Sequence, residues 1–192
     1  AERVAERLAR GGTLYTAGNG GSAAEALHLA EELVGRYRSN RPPLRAVALV
    51  ADPTALTCIA NDFGFDEVFA RPCEAFLGPN DILVLFTTSG RSQNLVKAAQ
   101  VGRRKGSLVI GLLGGDGGAT LPQCDEAILV AGPAGPAGAE ASRESGGEIG
   151  RAIADECLTA FLSATPEGGN HTRRREKLAK VERRGIGASG AS

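Results

Sequence analysis

The chain has 192 residues, 42% of them hydrophobic, which suits one compact domain with an aliphatic core, because aromatic residues make up only 4% and Trp and Met are absent. Lys plus Arg and Asp plus Glu balance at 22 each, so net charge indicates neither a nucleic-acid nor a membrane partner. No apolar run is long enough to span a membrane, no signal peptide is visible, and four scattered cysteines without a C-x-x-C pair favour free thiols in a reducing cytosol.

Short apolar runs alternate with helical patterns along the first 132 residues. The opening segment ERVAERLARGG has the pattern of a helix interior. Strands are predicted at 13–18, 44–51, 81–90, 107–114 and 125–132, and helices at 22–37, 52–64, 67–77 and 92–106. Strand and helix alternating at this spacing predict an α/β fold with three layers, in which a doubly wound parallel sheet is flanked by helices.

The composition changes after residue 132. Residues 132–147 are rich in Gly, Ala and Pro and predict a flexible loop, and residues 148–164 predict a last helix with an apolar stripe. We therefore assign residues 1–164 to a single domain and residues 165–192 to a basic, disordered tail. A solvated tail is the simpler interpretation of its basic run, and we predict no nucleic-acid partner.

Two loops of small polar residues follow the first and third predicted strands. They run from Gly18 to Ser22 and from Thr87 to Ser92. Ligands of open parallel sheets bind beyond the carboxyl ends of the strands, so we expect the two loops to lie together. The second loop has four hydroxyls in six residues at a helix start, where free N–H groups and the helix dipole attract anions. Such a number exceeds what an ordinary capping loop needs and favours phosphate binding, while the absence of G-x-x-x-x-G-K-[ST] argues against a nucleotide triphosphatase.

The helix after the first loop carries a histidine and a carboxylate one turn apart. His28 and Glu32 are spaced i and i+4 and therefore share one helix face, whereas Glu31 is expected to point elsewhere. This pair is typical either of two ligands of one metal ion or of an ordinary surface pair, and spacing alone does not decide between them. The first loop lacks the G-x-G-x-x-G spacing, which makes a dinucleotide a poorer candidate ligand.

Four motifs together resemble one family. They are GNGGSAAEALHLAEELVGRY, NRPPL, IANDFGFDEVFAR and TTSGRSQN, and in this order and spacing they closely resemble the phosphoheptose isomerases, which are sugar-isomerase (SIS) domain proteins. The similarity runs from about Gly11 to about Val130. It implies a flavodoxin-like nucleotide-binding architecture, the interconversion of sedoheptulose 7-phosphate and D-glycero-D-manno-heptose 7-phosphate, a bound zinc ion, and a cytoplasmic homotetramer with active sites between subunits.

Carried over residue by residue, the resemblance implies a substrate site, a metal site and a proton-transfer group. It assigns zinc to His28 and Glu32, and it assigns acid/base catalysis between the first two carbons of the sugar to Glu32 as well. It assigns substrate binding to Asn19, Gly20, Gly21, Ser22, Asn61, Asp62, Thr87, Thr88, Ser89 and Ser92. Thr87 stands where the family usually has serine.

The last-helix motif of the family is not matched. Family members carry Q-E-x-H and, four or five residues later, a second histidine that completes the metal site and acts as the partner acid/base. Gly147 and Gly150 occupy the first two of these positions here, and Asp155 falls nearest the third. Aspartate can ligate a metal and transfer a proton, so Asp155 is the predicted second catalytic residue. The third zinc ligand is expected from the same last helix, where the suitable side chains are Asp155, Glu156 and Glu148; Asp155 is the choice, Glu156 stays open, and the zinc site is expected to be weaker than the family's. The alternative hypothesis is a non-catalytic module that binds sugar phosphates or proteins, similar to the DnaA initiator-associating protein.

Overall fold

The structure is a computed structural model that describes residues 2–36 and 40–130. The helices are α1 (Glu2–Ala9), α2 (Gly21–Val34), α3 (Pro53–Phe63), α4 (Ala70–Phe76) and α5 (Gln93–Arg104), the strands are β1 (Leu14–Gly18), β2 (Ala46–Ala48), β3 (Ile82–Thr87), β4 (Leu108–Gly114) and β5 (Glu126–Val130), and short 3-10 helices cover Phe65–Glu67 and Leu121–Gln123. Every element predicted before residue 131 is confirmed. The second strand and the helix at 67–77 are shorter than expected. The predicted loop, last helix and tail, and with them Asp155, lie outside the described residues.

The five strands form one parallel sheet in the order β2-β1-β3-β4-β5. All six residues of β3 are buried, as a central strand covered on both faces requires. The chain leaves β1 toward β2 on one side and returns to β3 on the other side of β1. The carboxyl ends of β1 and β3 therefore form the topological switch point at which ligands of such sheets bind.

Helices cover both faces of the sheet, which confirms the three predicted layers. On one face, Leu29 and Leu33 of α2 pack on Val84 of β3, with α1 beside them. On the other face, Leu95 of α5 packs on Leu85, and α3 and α4 complete that layer. Within the two described segments, none of the helices combines the length and apolarity that a membrane crossing needs.

The start of α3 is closed by its own side chain. Asp52 accepts hydrogen bonds from the backbone N–H of Thr54 at 2.9 Å and of Ala55 at 3.0 Å, and Pro53 occupies the first helical position. Two of the N–H groups that a helix leaves without partners are thus satisfied, and the negative charge complements the helix dipole. The start of α3 therefore does not need a ligand to satisfy these N–H groups.

Candidate active site

The two predicted loops emerge side by side from the sheet. Gly18 at the end of β1 pairs with Phe86 in β3, so the chain continues from neighbouring positions of adjacent strands. A Cβ atom on Gly18 would lie 2.3 Å from the carbonyl oxygen of Ser22, which explains why the tight turn from β1 into α2 needs glycine there. The expectation that the loops lie together at the switch point is confirmed.

Both helices that start at these loops have open N-termini. Gly20 precedes α2 and Ser92 precedes α5, and neither makes a side-chain capping hydrogen bond. Neither helix has an acidic residue in its first turn.

Some first-turn N–H groups are already used by the chain: those of Ser22 and Ala23 donate to the carbonyl oxygens of Asn19 and Gly20, and that of Leu95 donates to Ser92 and to Oδ1 of Asn94. Within residues 2–36 and 40–130, the N–H groups of Gly21 in α2 and of Gln93 and Asn94 in α5 have no such partner. Together with the positive dipole ends of the two helices, these groups favour an anion.

The hydroxyl loop contains both shaping and accessible side chains. Thr87 is buried, and its Oγ1 accepts a hydrogen bond from the N–H of Gly90 at 3.1 Å. Ser89 is exposed and its Oγ accepts from the N–H of Arg91 at 3.2 Å, while Thr88 is also exposed. The hydroxyl of Thr87 therefore organises the turn, and the remaining hydroxyls lie where a ligand can reach them.

A third loop, residues 115–120, follows β4 and packs against the hydroxyl loop. Thr120 is fully buried, and both its N–H and its Oγ1 donate to the carbonyl oxygen of Gly90 at 2.9 Å. Gly90 has a φ of +64°, and a Cβ there would lie 2.0 Å from the oxygen of Gly117, so glycine is required. Arg91 pairs with Asp116 at 2.7 Å on the rim. The role of Thr120 was not predicted, because nothing in the sequence around this residue indicates a contact 30 positions away.

Asn94 joins the two main loops and was also missed. It lies in the first turn of α5 with 2% exposure, and its amide exchanges two hydrogen bonds with the amide of Asn19. An asparagine at the second position of a helix that follows a polar loop was the available signal. Its partner across the switch point could not be read from the sequence.

The histidine cluster on α2 contains one more carboxylate than expected. Glu32 Oε1 lies 3.9 Å from His28 Nε2, and Glu31 Oε2 lies 3.6 Å from His28 Nδ1. The expectation that Glu31 points elsewhere was wrong, because residues at i and i+3 also share a helix face and the long glutamate side chain reaches the other ring nitrogen.

The donor set of this cluster fits a divalent ion such as zinc. One ligand atom from each of His28, Glu31 and Glu32 lies within 4.8 Å of the others. Imidazole nitrogen and carboxylate oxygen are zinc donors, and catalytic zinc sites use three protein ligands with one open position. His28 is half-buried and the side chain of Glu32 is 20% exposed, so an ion bound there stays accessible to a small ligand.

The C-terminal end of α2 is held by a cation from the following segment. The guanidinium of Arg41 donates to the carbonyl oxygen of Leu33 at 2.9 Å and to that of Glu32. Burial lowers the pKa of Arg41, and the charge of Glu32 opposes this shift. Arg41 thus satisfies carbonyl groups that the helix end leaves free and fixes the backbone that carries Glu32.

The predicted pair Asn61 and Asp62 lies in the last turn of α3. Asn61 and Asp62 are exposed at the far end of α3, and Asn61 donates to Asp62 at 2.8 Å. The predicted substrate contacts at this pair stay predictions.

A family model described as the SIS domain matches residues 1–114. The chain belongs to the SIS-domain family. A phosphoheptose isomerase from Solidesulfovibrio magneticus is 51% identical over 130 residues, which cover 68% of this chain and 63% of that protein. The structure of a phosphoheptose isomerase from Francisella tularensis superposes with a TM-score of 0.68 at 31% identity and covers 80% of both chains. The resemblance inferred from the four motifs is confirmed.

The extent of the match differs between relatives. The chain spans 63% of the length of the Solidesulfovibrio protein. A phosphoheptose isomerase from Streptomyces coelicolor is 43% identical over 173 residues, which cover 90% of this chain and 71% of that relative. The alignment with this relative therefore continues past residue 130, where the family's last-helix motif was not found.

Proposed function

We propose that the chain is an aldose–ketose isomerase that interconverts sedoheptulose 7-phosphate and D-glycero-D-manno-heptose 7-phosphate. One observation carries this proposal. Two uncapped helix N-termini and a hydroxyl-rich loop converge at the switch point, and one of the two helices carries His28 and Glu32. Relatives that are 51% and 43% identical are named phosphoheptose isomerases, which supports the choice of substrate.

The residues of the cleft divide the reaction into holding and proton transfer. The N–H groups at the starts of α2 and α5, with Thr88, Ser89 and Ser92, would hold the phosphate and orient the sugar. Glu32 would remove the proton from the carbon next to the carbonyl, which gives a cis-enediol, and would return a proton to the neighbouring carbon. Asp155 is the proposed partner that transfers a proton between the hydroxyl and carbonyl oxygens of these two carbons.

His28 and Glu32 would hold a zinc ion, and Glu31 is close enough to be a third ligand. When bound, the ion would act as a Lewis acid that polarises the sugar oxygens. We expect weaker binding than in a site that has the family's full set of ligands, because carboxylates replace an imidazole.

The proposed assembly is a homotetramer in the cytoplasm. Phe63, Phe65 and Phe76 are each more than half exposed on the α3 and α4 side of the domain. Large apolar side chains exposed on a single chain are typical of surfaces that association buries. Asn61 and Asp62 directly precede Phe63, so association through this surface would offer the pair to the cleft of a neighbouring chain. Light scattering should give a multiple of 19.7 kDa, and a monomer at enzyme-assay concentrations would contradict the assembly.

The test of the proposed activity is proton exchange in deuterated water. Sedoheptulose 7-phosphate should take up deuterium at its first carbon and the aldose formed from it at the second carbon, and the rate should rise with added zinc and fall after treatment with a chelator. Tight binding of the sugar phosphate with no exchange under either condition would support the non-catalytic binding module instead. Neither binding nor exchange would contradict both hypotheses.

A further inference from the structure

Asn94 is a buried polar residue that connects the two loops of the cleft. Its Nδ2 donates to Oδ1 of Asn19 at 2.8 Å, and Nδ2 of Asn19 donates to Oδ1 of Asn94 at 3.0 Å. The two residues are 75 positions apart in the chain. Asn19 lies on the loop that follows β1, and Asn94 lies in the first turn of α5, after the adjacent strand β3. Asn94 is 2% exposed, so the paired amides are part of the interior wall of the cleft.

A third hydrogen bond fixes the direction of this pair. The backbone N–H of Leu95 donates to Oδ1 of Asn94 at 2.9 Å. An amide group turned by 180° would place Nδ2 there and oppose two donors, so the N–H of Leu95 admits only the oxygen. Nδ2 of Asn94 must then face Asn19, and Asn19 must present its own oxygen to it. One backbone group of α5 thus sets the orientation of a side chain that follows β1.

The consequence falls on Asn19, which is half-buried at the switch point. A carboxamide has two N–H donors and two lone pairs on its oxygen, and the pair with Asn94 uses one of each. Among residues 2–36 and 40–130, the side chain of Asn19 makes no further hydrogen bond. Its second N–H therefore remains for an oxygen of a ligand in the cleft, beside the N–H groups at the start of α2.

We propose that Asn94 is a positioning residue that acts through Asn19, holding the Asn19 amide so that an N–H, and not the carbonyl, is presented to the sugar phosphate. The proposal rests on the proposed function of the cleft. Without Asn94 the amide of Asn19 is free to rotate, and half of its orientations direct a carbonyl oxygen toward an oxygen-rich anion. The loss is therefore one of ligand affinity in addition to any loss of fold stability.

A double-mutant cycle on the full chain tests this. Affinity for sedoheptulose 7-phosphate is measured by calorimetry for the unsubstituted chain, Asn19→Ala, Asn94→Ala and the double variant. Each single variant should bind about five- to tenfold more weakly, the loss of roughly one hydrogen bond. If Asn94 acts through Asn19, the double variant should match Asn19→Ala within about twofold, since the second substitution has nothing left to misplace.

The other outcomes separate this role from a structural one. Losses that multiply in the double variant, or full affinity in Asn94→Ala, would overturn the positioning role. Asn94→Ser, which keeps a polar atom at the helix start but is too short to make both hydrogen bonds of the amide pair, should behave like Asn94→Ala and provides the test if the alanine variant does not fold. Gln100→Ala, on the exposed side of α5, is the matched control and should retain affinity. Failure of the unsubstituted chain to bind would overturn the proposed function as well, whereas multiplicative losses in a chain that binds and turns over the sugar would overturn only the role of Asn94.

Discussion

Helices α3 and α5 both begin at the carboxyl edge of the same sheet, yet their first turns are built differently. Asp52 closes the start of α3 with two hydrogen bonds and a negative charge. Ser92 stands at the same position of α5 and makes no capping hydrogen bond, as Gly20 makes none at α2. The side-chain cap of α3 occupies two N–H groups and adds a negative charge, whereas the uncapped starts leave the N–H groups of Gly21 in α2 and of Gln93 and Asn94 in α5 for an anion. We therefore expect the starts of α2 and α5 to bind the ligand, and the start of α3 to contribute only to the stability of the fold.

We expect catalysis to depend on α2, which begins without a side-chain cap. The largest effect of a single substitution should therefore come from Glu32 on this helix. Glu32→Gln should lower turnover by about 10²- to 10⁴-fold, because it removes the base that transfers the proton. The measurement is the steady-state rate at saturating zinc, with the folded fraction verified by circular dichroism. Glu6→Gln, at an exposed position of α1, is the control and should keep its rate. Undiminished turnover in Glu32→Gln would remove Glu32 from the reaction.

Closing the open end of α5 should exchange binding for stability. Ser92→Asp should weaken sugar-phosphate affinity by about 100-fold or more, since it occupies the free N–H groups and places a carboxylate beside the phosphate. The same change should raise the free energy of unfolding by about 0.5–2 kcal/mol, the value of a good cap. Ser92→Asn adds a cap without a charge, and its affinity for the sugar phosphate should lie between those of the unsubstituted chain and Ser92→Asp. This variant separates the loss of free N–H groups from charge repulsion. Unchanged affinity in both variants would mean that the phosphate does not bind at this helix end.

Removal of a single hydroxyl from the loop should have a smaller effect. Ser89→Ala should weaken binding by about 1.5–3 kcal/mol, the value of a neutral donor to a charged acceptor, and should barely change the melting temperature without ligand. Thr57→Ala removes a hydroxyl from the exposed side of α3 and serves as the control in the same calorimetric titration. Equal affinities of the two variants would exclude Ser89 from the site.

The smallest effect is expected at the closed end. Asp52→Ala should lower the free energy of unfolding by about 1 kcal/mol and the melting temperature by roughly 2–4 °C, since it frees two N–H groups at the start of α3. Affinity for the sugar phosphate should stay the same. A marked change in affinity would show that α3 also belongs to the binding site and would break the comparison.

Local chemistry made most of the fold predictable. The apolar run of β3, the Asp52-Pro53 start of α3 and the stop of α5 at Gly106 each follow from short-range rules, and all three are found. That the two loops lie at the same edge was also predictable, because all strands of a parallel sheet have their carboxyl ends at one edge.

Side-chain partners were less predictable than elements. The i, i+4 spacing of His28 and Glu32 does not indicate that Glu31, three residues after His28, also reaches a ring nitrogen of that histidine. Thr120 was missed because its partner lies 30 residues away and is a backbone carbonyl. The substrate contacts that the resemblance implies for Asn61 and Asp62 stay predictions.

The sequence by itself determined the order of the elements, the strand-end loops and the helix that carries His28 and Glu32, since each depends on residues within a few positions of one another. Only the tertiary structure decided which polar groups meet across those loops. Asn19 and Asn94 pair because β1 and β3 became neighbours and left two amides facing in a buried wall. Helical and strand periodicities encode which face is buried, but they carry no record of which distant donor an acceptor will find there.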